Sequence, residues 1–141
     1  CAAQPVDDLQ RTRAAAIFAA SGEALEVKGE ALVEAATGLT APTPAFAFLI
    51  VEALVEAGVA MGFDHRTAIL LVRETLAGSM ELLKQTGEHP AVLRSQVTSP
   101  GGATAAGLAV LEEAGLRAHL AEAVRAVAAR SSELARDDSN E

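Results

Sequence analysis

Apolar residues recur along nearly the whole chain at the spacing of a helix, three or four positions apart, rather than in the alternation of a strand. Glycines and prolines divide this pattern into successive segments. The predicted helices cover residues 7–20, 29–37, 45–61, 65–86, 90–97, 105–114 and 116–136. The pattern therefore predicts an all-α fold class.

Individual residues mark where these helices begin and end. Asp64 is suited to cap the start of a long helix, and Gly87 is suited to end it. His89, which directly precedes a proline, is expected at another helix start, and Gly115 stops the penultimate helix.

Two stretches depart from the helical pattern. Residues 24–27 alternate apolar and polar side chains, which predicts a short strand, although the chain offers it no obvious partner. Pro42 and Pro44 lack an amide donor, so a break is predicted between the helices on either side of them.

The helix 45–61 is apolar on almost every side, and its only charges are Glu52 and Glu56. Two carboxylates near the centre of a membrane span would cost about 2–3 kcal/mol each, so burial in a soluble protein is favoured over membrane insertion. The helix 65–86 is also rich in apolar residues. Two such helices in a small chain require an external partner, and a second copy is the simplest one. We expect a homodimer, which could assemble further.

Composition narrows the class of protein. The 141 residues fit one domain that should bury about 68–70% of its unfolded surface. The net charge of -8 disfavours attraction to nucleic acid or anionic lipid. Cys1 is the single cysteine, so a disulfide within the chain is impossible and a cytoplasmic location is expected. A chain that opens with Cys rather than Met looks cut or processed.

The charged and titratable residues offer little further chemistry. His65, His89 and His119 lack metal-ligand spacing, so no metal site is predicted. Arg117 lies four positions after Glu113, a spacing that predicts at most an exposed ion pair.

The turn 98–104 is the segment best suited to carry chemistry. Gly101 and Gly102 follow a proline and precede a helix, so several backbone amides are left free to approach a ligand. The helix dipole favours an anion there, and Ser99 and Thr104 add two hydroxyls. The residues alone are also compatible with an ordinary helix-capping turn, and they do not identify a ligand.

A longer segment around this turn carries a resemblance. Residues 87–104 read Gly-Glu-His-Pro-Ala-Val-Leu-Arg-Ser-Gln-Val-Thr-Ser-Pro-Gly-Gly-Ala-Thr, and residues 107–112 read Gly-Leu-Ala-Val-Leu-Glu. This sequence resembles the signature of pyrroline-5-carboxylate reductases, and the similarity extends from about Glu30 to Arg136.

The resemblance implies an enzyme that reduces 1-pyrroline-5-carboxylate, a small imino acid, to proline with NADPH or NADH. It implies a helical domain of the 6-phosphogluconate dehydrogenase C-terminal-like type that forms an intertwined dimer. Carried onto matching positions, Thr104 would hydrogen-bond the imine nitrogen as the catalytic residue. Ser99 and the backbone around Gly101, Gly102 and Ala103 would bind the substrate carboxylate.

The chain departs from the family before residue 29, because no strand, glycine-rich turn and helix of a Rossmann domain are present there. Residues 1–28 instead resemble the last helix and strand of such a domain. We expect residues 29–136 to be the helical dimerisation and substrate-binding domain and residues 137–141 a disordered tail. Cofactor-binding residues are unassigned, and the chain alone should neither bind the cofactor well nor catalyse hydride transfer.

Residues 40–46 also depart from the family, since they read Thr-Ala-Pro-Thr-Pro-Ala-Phe instead of Ser-Gly-Ser-Gly-Pro-Ala-Tyr. This change leaves open a divergent paralogue or a non-catalytic helical oligomerisation module. A third alternative is another dehydrogenase that takes a different small carboxylic acid.

Overall fold

A computed structural model describes residues 6–138 of the chain, and every regular element in this range is an α-helix. The helices are α1 (Asp8–Ala19), α2 (Glu30–Thr40), α3 (Thr43–Ala60), α4 (His65–Thr86), α5 (Pro90–Gln96), α6 (Ala103–Glu113) and α7 (Leu116–Asp138). The prediction of an all-helical chain is confirmed.

Helix ends fall at the residues whose chemistry indicated them. Asp64 caps α4, because its carboxylate accepts from the Thr67 amide at 3.0 Å. Gly87 ends the same helix in the left-handed conformation, with φ at 62°. The Nδ1 atom of His89 accepts from the Ala91 amide at 3.2 Å and caps α5.

Several predicted boundaries are wrong. α2 ends at Thr40 rather than at residue 37, and α3 begins at Thr43 rather than at residue 45. Residues 24–27 form no strand, because no second strand exists in the described chain to pair with them. α6 begins at Ala103 rather than at residue 105, since Gly102 already acts as its N-cap. Asp137 and Asp138 extend α7 instead of belonging to a disordered tail, and residues 139–141 lie outside the described range.

The described chain divides into two compact units. In the unit Pro42–Val127, α3 packs against α4, and Val55 of α3 and Ala68 of α4 are buried, at 4% and 1% exposed. Gly58 lies opposite Ala68 so closely that an added Cβ would stand 3.2 Å from the Ala68 Cβ. The absence of a side chain at Gly58 allows these two helices to approach each other.

Within the described range, the other unit comprises residues 6–41 together with residues 128–138. Gly38 of α2 is buried there, and an added Cβ would lie 3.7 Å from the Ala128 Cβ. Small residues again permit a close approach, as expected for a chain with 3% aromatic residues.

Most large apolar side chains are exposed within the single chain. Phe48, Leu49 and Ile50 of α3 are 71%, 64% and 41% exposed. The chain exposes 11494 Å² in total, whereas a folded monomer of 14.4 kDa exposes about 6,800 Å². The isolated chain leaves much of α3 exposed, so the expected burial of this helix depends on the expected partner. The predicted fraction of buried surface is wrong for the isolated chain.

The segment Glu30–Ala60 is long and apolar enough to cross a membrane by length and composition alone. Core helices of soluble proteins meet the same criterion, so this property does not by itself assign the segment to a membrane.

Candidate functional site

The turn between α5 and α6 begins with Thr98. Its backbone amide donates to the Ser95 carbonyl at 3.2 Å, and its hydroxyl donates to the Arg94 carbonyl at 2.6 Å. Both bonds satisfy carbonyls at the C-terminal end of α5 that the helix leaves unpaired. Thr98 thereby fixes the point at which the chain leaves α5.

The next four residues form a tight β-turn. The Gly102 amide donates to the Ser99 carbonyl at 3.0 Å, with Pro100 and Gly101 at the central positions. Gly101 has φ of 69°, which a residue with a side chain adopts only with strain. Proline followed by glycine at these positions is typical of a type II turn.

Ser99 lies directly against Gly102. A Cβ added at Gly102 would collide with the Ser99 Oγ atom and would stand 3.2 Å from the Ser99 carbonyl oxygen. The Ser99 hydroxyl therefore occupies the space that a side chain at the α6 N-cap would fill, which places a donor beside the positive end of the helix dipole.

Several amides at this helix start have no acceptor. The Ala103, Thr104 and Ala105 amides of the first turn of α6 donate to no acceptor in residues 6–138, and neither does the Gly101 amide. The hydroxyls of Ser99 and Thr104 likewise make no hydrogen bond within the described chain. Free N–H groups at a helix start favour an anion, so the turn has the donors that a carboxylate requires.

The structure thus brings the predicted residues Ser99, Gly101, Gly102 and Ala103 to one helix end, with Thr104 in the adjoining turn of helix. Their roles toward a ligand stay predictions. Gly102 differs from its neighbours, because its amide is already bonded to Ser99. Gly102 contributes the room for the Ser99 hydroxyl instead of a free donor.

Sequence reasoning missed an ion-pair cluster on Glu112, which we name the Glu112 cluster: Glu112, Arg94 and Arg117. The predicted pair of Glu113 with Arg117 is wrong, because Gly115 interrupts the helix with φ of 74° and four-residue spacing no longer brings side chains together. Arg117 instead contacts Glu112 through two nitrogen atoms, Nε at 2.8 Å and Nη2 at 2.7 Å.

The hydrogen bonds from Arg117 are the largest cause that lowers the pKa of the Glu112 carboxyl below its ordinary value, and the charges of Arg117 and Arg94 lower it further. Glu112 is therefore ionised at neutral pH. Gly115, two positions after Glu113, is the sequence signal that could have indicated the change of partner.

Comparison with known proteins identifies the family of the chain that contains this turn. The sequence model described as pyrroline-5-carboxylate reductase dimerisation matches residues 30–134. A pyrroline-5-carboxylate reductase of Synechocystis sp. is 46% identical over 129 residues, which are 92% of this chain and 48% of the relative. The Arabidopsis thaliana pyrroline-5-carboxylate reductase is 44% identical over 85% of this chain and 43% of its own length.

Solved structures agree with these relatives. The structure of a pyrroline-5-carboxylate reductase from Coxiella burnetii matches with a TM-score of 0.88 and 37% identity, over 92% of this chain and 48% of that one. The Plasmodium falciparum pyrroline carboxylate reductase with NADP bound matches with a TM-score of 0.82 and 31% identity, over 93% and 52%. The chain spans about half the length of the relatives it matches. It belongs to the pyrroline-5-carboxylate reductase family, of which it contains the dimerisation domain.

Proposed function

We propose that this chain is the substrate-binding and dimerising half of an enzyme that reduces 1-pyrroline-5-carboxylate to proline. The observation that carries this proposal is the set of unbonded amides at Gly101, Ala103 and Thr104, next to two unbonded hydroxyls. This set lies within the part of the chain, residues 30–134, that matches the family.

The chemistry of the substrate fits these groups. Its carboxylate is an anion, which the Gly101 and Ala103 amides and the Ser99 hydroxyl would bind at the positive end of α6. Its ring nitrogen carries a lone pair to which the Thr104 hydroxyl can donate. A carboxylate held at one end and a nitrogen held at the other would orient the ring, so that the imine carbon presents one face to the hydride donor.

The described residues do not fit a nicotinamide dinucleotide. Residues 6–138 contain no strand followed by a glycine-rich turn and a helix, which is the usual cradle for its pyrophosphate. We therefore propose that the cofactor, NADPH or NADH, is bound by the part of the complete protein that corresponds to the other half of the relatives. There it would supply the hydride.

The proposed partners follow from charge and exposed area. A second copy of the chain would cover the apolar faces of α3 and α4, giving a homodimer. The acidic net charge of -8 argues against nucleic acid or an anionic membrane as a partner. We propose the cytoplasm as the location of this protein.

Reconstitution tests this function. Joined to the N-terminal nucleotide-binding domain of a family member, the chain should reduce 1-pyrroline-5-carboxylate with NADPH or NADH. Thr104→Val keeps the shape of the side chain but removes the donor, so activity should fall about tenfold or more, and Ser99→Ala should raise KM. Ser79→Ala is the matched control, because its hydroxyl donates only to the Thr75 carbonyl within α4.

The other outcomes separate the alternatives. A folded chimera without activity, together with no binding of L-proline by the chain itself, would overturn the proposal and favour a non-catalytic oligomerisation module. Turnover of keto acids in preference to the imine would favour a dehydrogenase with a different carboxylic acid substrate.

A further inference from the structure

The Glu112 cluster connects three helices. The Glu112 carboxylate on α6 accepts from Arg94 Nη1 of α5 at 3.3 Å and from Arg117 Nη2 of α7 at 2.7 Å. Among the ion pairs of residues 6–138, the pair of Arg94 with Glu112 is the one that joins the two helices on either side of the candidate site.

Each residue of that pair belongs to a helix that adjoins the turn. The Arg94 carbonyl accepts the Thr98 hydroxyl at 2.6 Å, so the backbone of Arg94 fixes the residue that precedes Ser99. Thr104 and Glu112 both belong to α6, Thr104 in its first turn and Glu112 near its last residue. The ion pair therefore closes a loop that runs from α5 through the turn into α6.

The arginine side chains also lie beside apolar residues. Arg94 and Arg117 line one apolar groove with Leu108, Leu111, Leu116 and Leu120. Aliphatic stems of arginine gain from covering leucine side chains while the charged end reaches the carboxylate. Two arginines that converge on one carboxylate form a more rigid link than a single exposed pair.

From this geometry we propose that Glu112 is a positioning residue for the carboxylate-binding turn, an inference that rests on the proposed function. Through Arg94 it sets the distance between the end of α5 and the start of α6. The Ser99 hydroxyl belongs to the turn that follows α5, and the Ala103 and Thr104 amides belong to the start of α6. Glu112 does not touch the ligand, but it sets the spacing of the groups that do.

Binding of L-proline and of L-prolinamide to the full chain tests this inference. L-Proline carries the carboxylate and L-prolinamide lacks its charge, so the ratio of their Kd values reports the carboxylate site itself. Glu112→Gln should weaken L-proline binding about fivefold and leave L-prolinamide binding nearly unchanged, so the preference for the carboxylate falls. Loss of folding would weaken both ligands alike.

Glu74→Gln is the matched control. Glu74 forms an ion pair of 2.6 Å with Arg73, its neighbour in the same helix, so the pair links no second element. Arg94→Gln is the second variant, because it removes the pair with α5 and leaves that of Glu112 with Arg117. It should reproduce the effect of Glu112→Gln, whereas Glu74→Gln should bind both ligands as the unmodified chain does.

The outcomes are distinguishable. An unmodified chain that binds neither ligand would overturn the proposed function and this inference with it. If the unmodified chain prefers L-proline and both Glu112→Gln and Arg94→Gln keep that preference, only the positioning role of Glu112 is overturned.

Discussion

Ser99 and Gly102 depend on each other for their place at the start of α6. The Ser99 carbonyl accepts the Gly102 amide at 3.0 Å, and the Ser99 hydroxyl fills the space beside the Gly102 Cα. The backbone of Gly102, with φ of -78° and ψ of 171°, is open to any residue, so the need for glycine here is steric and not conformational.

Gly102→Ala should therefore disturb the ligand site more than the fold. The new Cβ would force the Ser99 side chain to rotate away from the helix start, and L-proline affinity should fall about fivefold or more because one donor is lost. Gly107→Ala in the same helix is the control, since nothing lies within 4 Å of its added Cβ. Isothermal titration of both variants compares them, and equal affinities would contradict this use of Gly102.

The site residues could be predicted from the sequence because turn chemistry is local. Proline, two glycines and a following helix determine which amides are left without acceptors, whatever the rest of the fold does. The bonded state of the Gly102 amide was not predictable, since it depends on the type of turn. The Glu112 cluster was missed because it depends on how three helices approach one another.

Among the elements, α3 and α4 form the principal helix contact of the described chain. Gly58 allows it, because an added Cβ would stand 3.2 Å from the Cβ of Ala68, which is 1% exposed. Gly78 in α4 has nothing within 4 Å of the same added atom. Replacing each glycine by alanine therefore distinguishes the effect of helix propensity from the effect of close packing.

Gly78→Ala should raise the free energy of unfolding by about 1 kcal/mol, which is the propensity gain of alanine in a helix. Gly58→Ala has the same gain, but the contact with Ala68 should cancel or exceed it. Urea unfolding at one fixed protein concentration measures both. A gain at Gly58 as large as that at Gly78 would show that the helices are not closely packed there.

The cap of α4 gives a pH-dependent contribution to stability. Hydrogen bonds from Thr67, first from its hydroxyl and then from its amide, hold the pKa of Asp64 below its ordinary value. A carboxyl whose pKa is lower in the folded chain stabilises fully above its unfolded pKa of about 4, and this contribution is lost as the pH falls through the folded pKa.

Asp64→Asn keeps a capping oxygen but does not titrate. The stability advantage of the unmodified chain over this variant should be constant above about pH 5 and shrink below about pH 4. Urea unfolding from pH 7 to pH 3 checks it, and Thr67→Val should reduce the pH-dependent part. A stability advantage of the unmodified chain that grows as the pH falls would contradict this role of the Asp64 carboxylate.

The ends of α4 and the start of α5 could be predicted from the sequence, whereas the start of α6 and the absence of a strand at residues 24–27 could not. The capping residues act through hydrogen bonds to neighbours within four positions, so the local sequence is enough to predict them: Asp64, Gly87 and His89. A strand depends on a partner strand, which four alternating residues do not specify.

At the scale of the whole molecule, surface area is the dominant feature. The exposed area exceeds that of a folded monomer of this mass by roughly 4,700 Å². Interface areas count both partners, so an excess of this size on each chain is as large as, or larger than, the area buried in obligate homodimers. The apolar composition of the helices could be recognised from the sequence. The sequence does not show whether the same chain or another copy covers each apolar helix face.

Self-association follows from this excess area. Sedimentation at micromolar concentration should give a dimer or a larger assembly, because exposed side chains such as Phe48 and Leu49 gain from burial. Replacing both by Glu should shift the protein toward the monomer, whereas Glu81→Lys, at an exposed charged position, should not. A stable monomer of the unmodified chain at that concentration would contradict the expected dimer.

The most direct test of the carboxylate site is an NMR titration of the full chain with L-proline, followed through the backbone amides. We expect the Gly101, Ala103 and Thr104 signals to shift together with one saturating curve, while the Gly102 signal, already bonded to Ser99, shifts less. Saturable binding that leaves these three signals unmoved, or no binding at all, would contradict the site.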